Sequence, residues 1–241
     1  MMKILVPLYA VTCYLLGVTS LLGWFAAMLG LLPFNLANVQ YSGAMAYVAA
    51  FGLMALFGLQ HTIMARQGFK QKLTSIIPVA AERATFVLAT AVVLWFALLF
   101  WPDLPATVWN VEGQNLRYAL RGLAIFGFGY LFIATFAINH FELFGLQQAY
   151  NHFQGQPVPR VPFRERLMYK FDRHPIMTGV LITSWATPEM SISHLLFSGM
   201  LTLYIVIGVT VEEGDLRTHL GQVYDDYARR VRTLVPTFPT K

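Results

Sequence analysis

The sequence predicts an all-α, polytopic integral membrane protein: a helical bundle of five long transmembrane helices, a short helix forming a hairpin with the last span, and a cytoplasmic C-terminal helix. Three observations carry this. Only 12% of the 241 residues are charged, against about 25% in soluble domains. Hydrophobic residues make up 56% of the chain and the mean hydropathy is +0.55. Several apolar runs also reach the roughly 20 residues needed to cross a hydrocarbon core. Too few ionic groups remain to cover a water-facing surface. This excludes an ordinary cytoplasmic enzyme, a disordered region and, despite a net charge of +5, a nucleic-acid binder.

The elements follow in order within one membrane domain over residues 1–241. Residues 4–32 form the first span. The run follows Lys3 but is too long for the apolar core of a signal peptide and has no small-residue cleavage pattern. Spans over 44–65, 84–101 and 119–138 come next, the last one uncharged from residue 123. Residues 175–187 are too short to cross, so they pair with the span over 192–211 as a hairpin with one arm buried in protein. Residues 212–232 make an amphipathic tail. The single cysteine, Cys13, lies in an apolar run and excludes a disulfide framework or a cysteine metal site. No internal repeat is visible.

Basic residues set the topology. Arg66, Lys70, Lys72 and Arg83 share one connection, and Arg160, Arg164, Arg166, Lys170 and Arg173 share a second. Arg217, Arg229, Arg230, Arg232 and Lys241 follow the last span, while connection 35–40 is uncharged. The positive-inside rule places both termini in the cytoplasm. Trp24, Trp101, Trp109 and Tyr41 then fall near the opposite interface, where aromatic belts are expected.

Polar side chains gather at the cytoplasmic helix ends. Gln60, His61 and Arg66 close the second span, and Asn139, His140 and Glu142 close the fourth. Tyr169, Arg173 and His174 precede the short helix, and Glu212, Glu213 and Asp215 follow the last span. Snorkelling at the headgroups accounts for lone lysines and arginines. It accounts less well for the short stems of His, Asn and Glu, which point to a polar site.

The sharpest local pattern is Arg173-His174-Pro175 with Gly179 one helical turn along. Pro175 suits a first helical turn. A guanidinium and an imidazole beside unpaired backbone N–H groups suit a carboxylate or phosphate. The same spacing equally describes a basic helix start beside anionic lipid, with Gly179 as a helix-packing residue. Glu213 and Arg217 are spaced for an i,i+4 pair, whereas Glu212 faces elsewhere. Together the two segments complement a zwitterion that carries both a carboxylate and an ammonium group. No His-x-x-x-His pair is present, so no metal site is expected, although His61 and His140 leave a two-helix haem site open.

The combination Arg173-His174-Pro175-x-x-x-Gly179, Glu212-Glu213-x-Asp215-Leu216 and Leu220-Gly221-x-x-Tyr224-x-x-Tyr227-x-x-Arg230-Val231 resembles the membrane methyltransferases related to isoprenylcysteine carboxyl methyltransferase and phospholipid methyltransferase. More narrowly, Gln60-His61-x-x-Met64-Ala65-Arg66, Asn139-His140-Phe141-Glu142-Leu143-Phe144-Gly145-Leu146, Arg173-His174-Pro175-Ile176-Met177 and Trp185-Ala186-Thr187-Pro188 resemble the methanethiol S-methyltransferases of bacterial membranes. Met177 stands where the carboxyl methyltransferases often carry tyrosine, which speaks against an isoprenylcysteine substrate.

The resemblance implies a bacterial inner-membrane enzyme that methylates methanethiol to dimethyl sulfide from S-adenosylmethionine, with hydrogen sulfide as a further acceptor to compare. Arg173, His174, Pro175, Gly179, Glu212 and Glu213 would bind that cofactor. A thiolate is the nucleophile, so the protein needs either a positively biased pocket or a base within hydrogen-bond reach. His61, His140 and Glu142 are the candidates, with Tyr169 and Arg173 orienting the reacting groups. The implied partners are a small volatile thiol and membrane lipid, with no nucleic acid and no obligate protein. A lipid or isoprenoid methyltransferase, a haem protein like the zeta-carotene isomerases and a non-catalytic membrane module are the rival classes. The proline-bearing connection 147–169 is either a lid or a plain connector.

Overall fold

The computed structural model describes residues 2–157 and 165–234. In chain order the elements are α1 (Met2–Met28), α2 (Ala44–Ala65), α3 (Gln67–Thr74), α4 (Glu82–Phe100), β1 (Thr107–Asn110), α5 (Gln114–Ile138), α6 (His140–Leu143), α7 (Leu146–Gln154), α8 (Pro175–Trp185), β2 (Glu189–Ser191), α9 (Ile192–Leu220) and α10 (Gln222–Arg230). Among the described residues, five helical segments are long and apolar enough to cross a membrane, and α8 is a shorter apolar helix. The protein is therefore an all-α integral membrane protein. Its outward faces carry exposed Leu8, Phe51, Phe126 and Leu203, as lipid contact requires. The chain divides into two compact units, Met1–Pro105 with Asn139–Pro162, and Ala106–Ile138 with Phe163–Lys241.

In the first unit, α1 stops at Met28, short of the expected residue 32. Gly30 adopts φ +71, and the Leu31 N–H reaches back 2.8 Å to the Ala26 carbonyl. This left-handed closure satisfies orphan carbonyls that further helix would otherwise have used. Small residues then let α1 lie close to α4: a Cβ on Gly17 would fall 2.7 Å from Val87 Cγ1. In a bilayer such close packing drives association, because lipid tails match leucine in apolarity. The hydroxyls of Tyr9 and Thr85 meet at 3.0 Å across the same interface. Helix α7, the start of the 147–169 connection, buries Ala149 in a cluster with Val6, Ala10, Cys13 and Ala84. Residues 158–164 of that connection lie outside the described residues.

The uncharged connection after α1 seals the end of α4. Leu36 and Ala37 N–H groups donate to the Leu98 and Leu99 carbonyls at 3.0 Å, and the Tyr41 hydroxyl donates to the Phe100 carbonyl at 2.8 Å. These are carbonyls that a helix end leaves unpaired. Trp101 is enclosed by this arrangement, with Phe34 against it, and Trp24 is buried too. Of the three tryptophans expected at an interfacial belt, Trp24 and Trp101 are enclosed by protein and Trp109 is exposed.

In the second unit, α5 and α8 are the closest pair. A Cβ on Gly127 would lie 2.9 Å from the Thr183 nitrogen, and one on Gly179 would lie 2.6 Å from the Gly127 carbonyl oxygen. The expected hairpin forms from α8 and α9. At its turn the Ser191 side chain caps α9 by accepting from the His194 N–H, and His194 Nε2 donates to the Ser184 carbonyl at 2.8 Å. Ser198 donates to the same carbonyl, and Trp185 Nε1 donates to Thr202. Strands β1 and β2 pair antiparallel, with Trp109 opposite Met190. Helix α9 continues to Leu220, past the expected end of the span at 211. Glu212, Glu213 and Arg217 end the apolar run without ending the helix, being good helix formers. Gly221 then turns the chain into α10, whose Tyr224 and Tyr227 pack with Val231, Leu216 and Leu220.

Candidate functional site

The second unit concentrates ionisable groups where α8 begins and α9 ends. Pro175 occupies the first turn of α8, where its missing N–H costs nothing. Just before it, Asp172 is fully buried and accepts the His174 backbone N–H at 2.9 Å. This side-chain turn sets the direction in which the chain enters the helix. Burial pushes the Asp172 carboxyl up, opposed by the Thr178 hydroxyl and the His174 N–H. The Tyr130 hydroxyl of α5 stands 3.4 Å from its other oxygen.

Arg173 and Glu213 form the centre of the cluster. Nε and Nη2 of Arg173 lie 2.9 and 2.7 Å from Glu213 Oε1, with side chains only 9% and 8% exposed. Nη1 also donates to the carbonyls of Ala228, at 2.9 Å, and Val231, and Nη2 donates to the Thr233 hydroxyl. Each guanidinium nitrogen thus has a protein acceptor. Arg217 reaches Glu213 Oε2 at 3.1 Å, realising the i,i+4 pair read from the spacing. Glu213 is therefore the buried member of the glutamate pair and Glu212 the exposed one.

His174 lies between the two glutamates. Its Nε2 is 3.2 Å from Glu213 Oε1 and its Nδ1 is 3.7 Å from Glu212 Oε2. The Glu212 side chain is 54% exposed, so its carboxylate is the member of the cluster open to a ligand. Tyrosines surround these acids. Burial, reinforced by nearby Glu212, pushes the Tyr169 phenol up. Burial and the Glu213 charge push Tyr224 up to about 12. Burial likewise raises Tyr227, whose hydroxyl donates to the Tyr169 carbonyl at 2.7 Å. Carboxylates edged by phenol rings suit a cationic ligand.

The other expected residues, His61, His140 and Glu142, belong to the first unit. His140 is buried, with Nε2 3.0 Å from the Tyr14 hydroxyl and the rings of Phe141 and Phe144 around it. That burial lowers its pKa. Glu142 and Gln147 both accept from the Asn139 amide. His61 stacks on Phe57, leans on Phe86 and stands 3.4 Å from the Thr90 hydroxyl.

Gly179, left open between ligand approach and helix packing, faces Gly127 and Leu131 of α5. Tyr169, Arg173, His174, Glu212 and Glu213 do come together. Sequence reasoning missed Asp172 and Tyr130. An acid two residues before a histidine-proline pair is a signal for a side-chain turn and could have singled out Asp172; no local signal connects Tyr130 to it, 42 positions away.

Fold and cluster together define a class: a helical integral membrane protein with an ion-paired Arg-His-Glu site at the start of a short apolar helix. Comparison with known proteins narrows this. The methanethiol S-methyltransferase 1 of Bradyrhizobium diazoefficiens is 38% identical over 97% of this chain and 83% of its own length. The methanethiol S-methyltransferase of Mycobacterium tuberculosis is 42% identical over 79% of this chain and 78% of its own length. That of Crocosphaera subtropica is 36% identical over 96% and 91%. The chain belongs to the methanethiol S-methyltransferase family. Nurim of Sus scrofa is a more distant relative, 26% identical over 69% of this chain and 66% of its own. No protein-family model matches the chain, and no solved structure does.

Proposed function

We propose that the protein transfers a methyl group from S-adenosylmethionine to methanethiol, forming dimethyl sulfide at the cytoplasmic face of a bacterial inner membrane, with both termini in the cytoplasm. Hydrogen sulfide is a second acceptor to test. The observation that carries this reading is the exposed Glu212 carboxylate held 3.7 Å from His174, with a buried Arg173–Glu213 pair behind it, in a chain of this family.

The residues present suit the cofactor chemically. Its ammonium and ribose hydroxyls need an acceptor, which Glu212 offers to solvent. Its overall cationic character matches an acid-rich cluster edged by Tyr169 and Tyr130. His174, Arg173, Glu213 and the α8 start at Pro175 frame that place, while Gly179 packs against α5 one turn further on. When bound, S-adenosylmethionine supplies an electrophilic methyl on a sulfonium and leaves as S-adenosylhomocysteine.

The protein must supply a thiolate. A base in the protein would take the methanethiol S–H proton, so that the sulfur could accept the donor's methyl as S-adenosylhomocysteine leaves. His140 is one candidate base, its neutral form favoured by burial and its Nε2 3.0 Å from the Tyr14 hydroxyl. His61 and Glu142 are the other two. A one-carbon thiol offers little binding area, so selection rests on pocket size rather than affinity.

The test is a headspace assay on purified protein given S-adenosylmethionine with either methanethiol or hydrogen sulfide. Dimethyl sulfide from methanethiol supports the reading. A folded sample that binds the cofactor and yields no volatile product from either thiol removes it.

A further inference from the structure

The commitments of Arg173 leave none of its nitrogens without a protein acceptor. Besides Glu213 they take the Ala228 and Val231 carbonyls and the Thr233 hydroxyl, all in the chain that follows α9. Backbone bonds run alongside. The Arg173 N–H donates to the Arg232 carbonyl at 2.9 Å, and Asp172 pairs with Arg232 as a parallel bridge. One turn further on, the Thr178 hydroxyl donates to the Leu234 carbonyl at 3.1 Å. At the other end of the segment, Tyr227 is tied to the Tyr169 carbonyl. A short stretch on both sides of the α8 start is thus stitched to residues 227–234, with one guanidinium at its centre.

We propose that Arg173 is a positioning residue. It fastens the 227–234 segment to Glu213 and so presets His174 and Glu212 for the methyl donor, without meeting the donor's carboxylate itself. This rests on the methyl-transfer reading for its ligand but not for its geometry. Planarity is what the site uses: a fork of five fixed donors serves a carboxylate, two carbonyls and a hydroxyl at once, where an ammonium could satisfy only some of them.

The test uses the full chain in detergent with three variants, Arg173→Gln, Arg173→Lys and Thr233→Val. Hydrogen exchange of peptides covering 224–234 is read first, with no donor present. Faster exchange in Arg173→Gln, not restored by Arg173→Lys and smaller in Thr233→Val, is the expected pattern. Donor titration is read second. The donor KM should rise about tenfold or more in both Arg173 variants, the worth of a lost charge-assisted hydrogen bond, with kcat at saturating donor and the thiol KM little changed. Unchanged exchange in Arg173→Gln overturns the proposal. So does a Lys variant that recovers donor affinity while the segment stays unprotected, since the charge would then be acting on the ligand directly. Should the wild type bind no donor, the methyl-transfer reading falls, whereas the exchange pattern still decides the fastening.

Discussion

Glu213 Oε1 lies 2.7 Å from Arg173 Nη2 and 3.2 Å from His174 Nε2, so one nearly buried oxygen serves two consecutive residues 39 and 40 positions away. Glu212, its neighbour in sequence, points to solvent. The pair of glutamates therefore divides into an internal anchor and an outward acceptor, and the two have different consequences when changed.

Glu213→Gln should cost about 3–5 kcal/mol of folding stability, because it leaves the Arg173 charge buried without its partner. Glu212→Gln should stay within about 0.5 kcal/mol of wild type, as exposed substitutions do, while weakening S-adenosylmethionine binding. Denaturant unfolding in detergent and donor titration check both. Equal destabilisation by the two changes contradicts the division.

Gly179→Ala tests whether the glycine serves packing. Its new Cβ would lie 2.6 Å from the Gly127 carbonyl oxygen and 2.7 Å from Leu131 Cβ, so α5 and α8 must separate. Overpacking of this kind costs about 1–3 kcal/mol. A variant as stable as wild type, with only donor binding impaired, would show that the glycine accommodates ligand instead.

Burial holds the His140 imidazole below its ordinary 6.5. The folded protein then binds fewer protons at this group than the unfolded chain, so stability rises with pH between the folded value and 6.5 and falls on acidification below 6.5. His140→Gln should flatten that slope. A profile as steep as the wild type's contradicts it.

His140→Ala and His61→Ala separate the candidate bases. Loss of turnover by about a hundredfold or more with donor affinity kept, the scale of general-base catalysis, identifies the base. Single-turnover assays across pH distinguish this from a folding defect. If both variants keep full turnover, neither imidazole accepts the thiol proton.

Much of the fold was legible because lipid enforces it. The span at 44–65 is α2 from end to end, since an apolar stretch in hydrocarbon must be helical to satisfy its backbone. Ends set by hydrogen bonding were less legible. Gly30 closes α1 early, and α5 starts at Gln114, with the Arg117 N–H bonded to the Gly113 carbonyl, before its apolar run begins. The short β1–β2 ladder went unseen, because four and three residues carry too little alternation to read. At the site, composition and spacing singled out Arg173, His174, Glu212 and Glu213 as a group. Which glutamate is buried depends on the rotation of α9 against residues 40 positions earlier, and no local pattern encodes that. The Arg173 bonds to Ala228, Val231 and Thr233 involve backbone and tail groups with no chemical signature in sequence.

The most direct test of the central claim is an isotope transfer. Purified protein is given S-adenosylmethionine carrying a trideuterated methyl group together with unlabelled methanethiol, and the headspace is analysed by mass. The expected product is dimethyl sulfide with one deuterated and one unlabelled methyl, formed in step with S-adenosylhomocysteine and lost in Glu212→Gln at limiting donor. Label that appears in no sulfide product, from a sample shown to bind the donor, would contradict it.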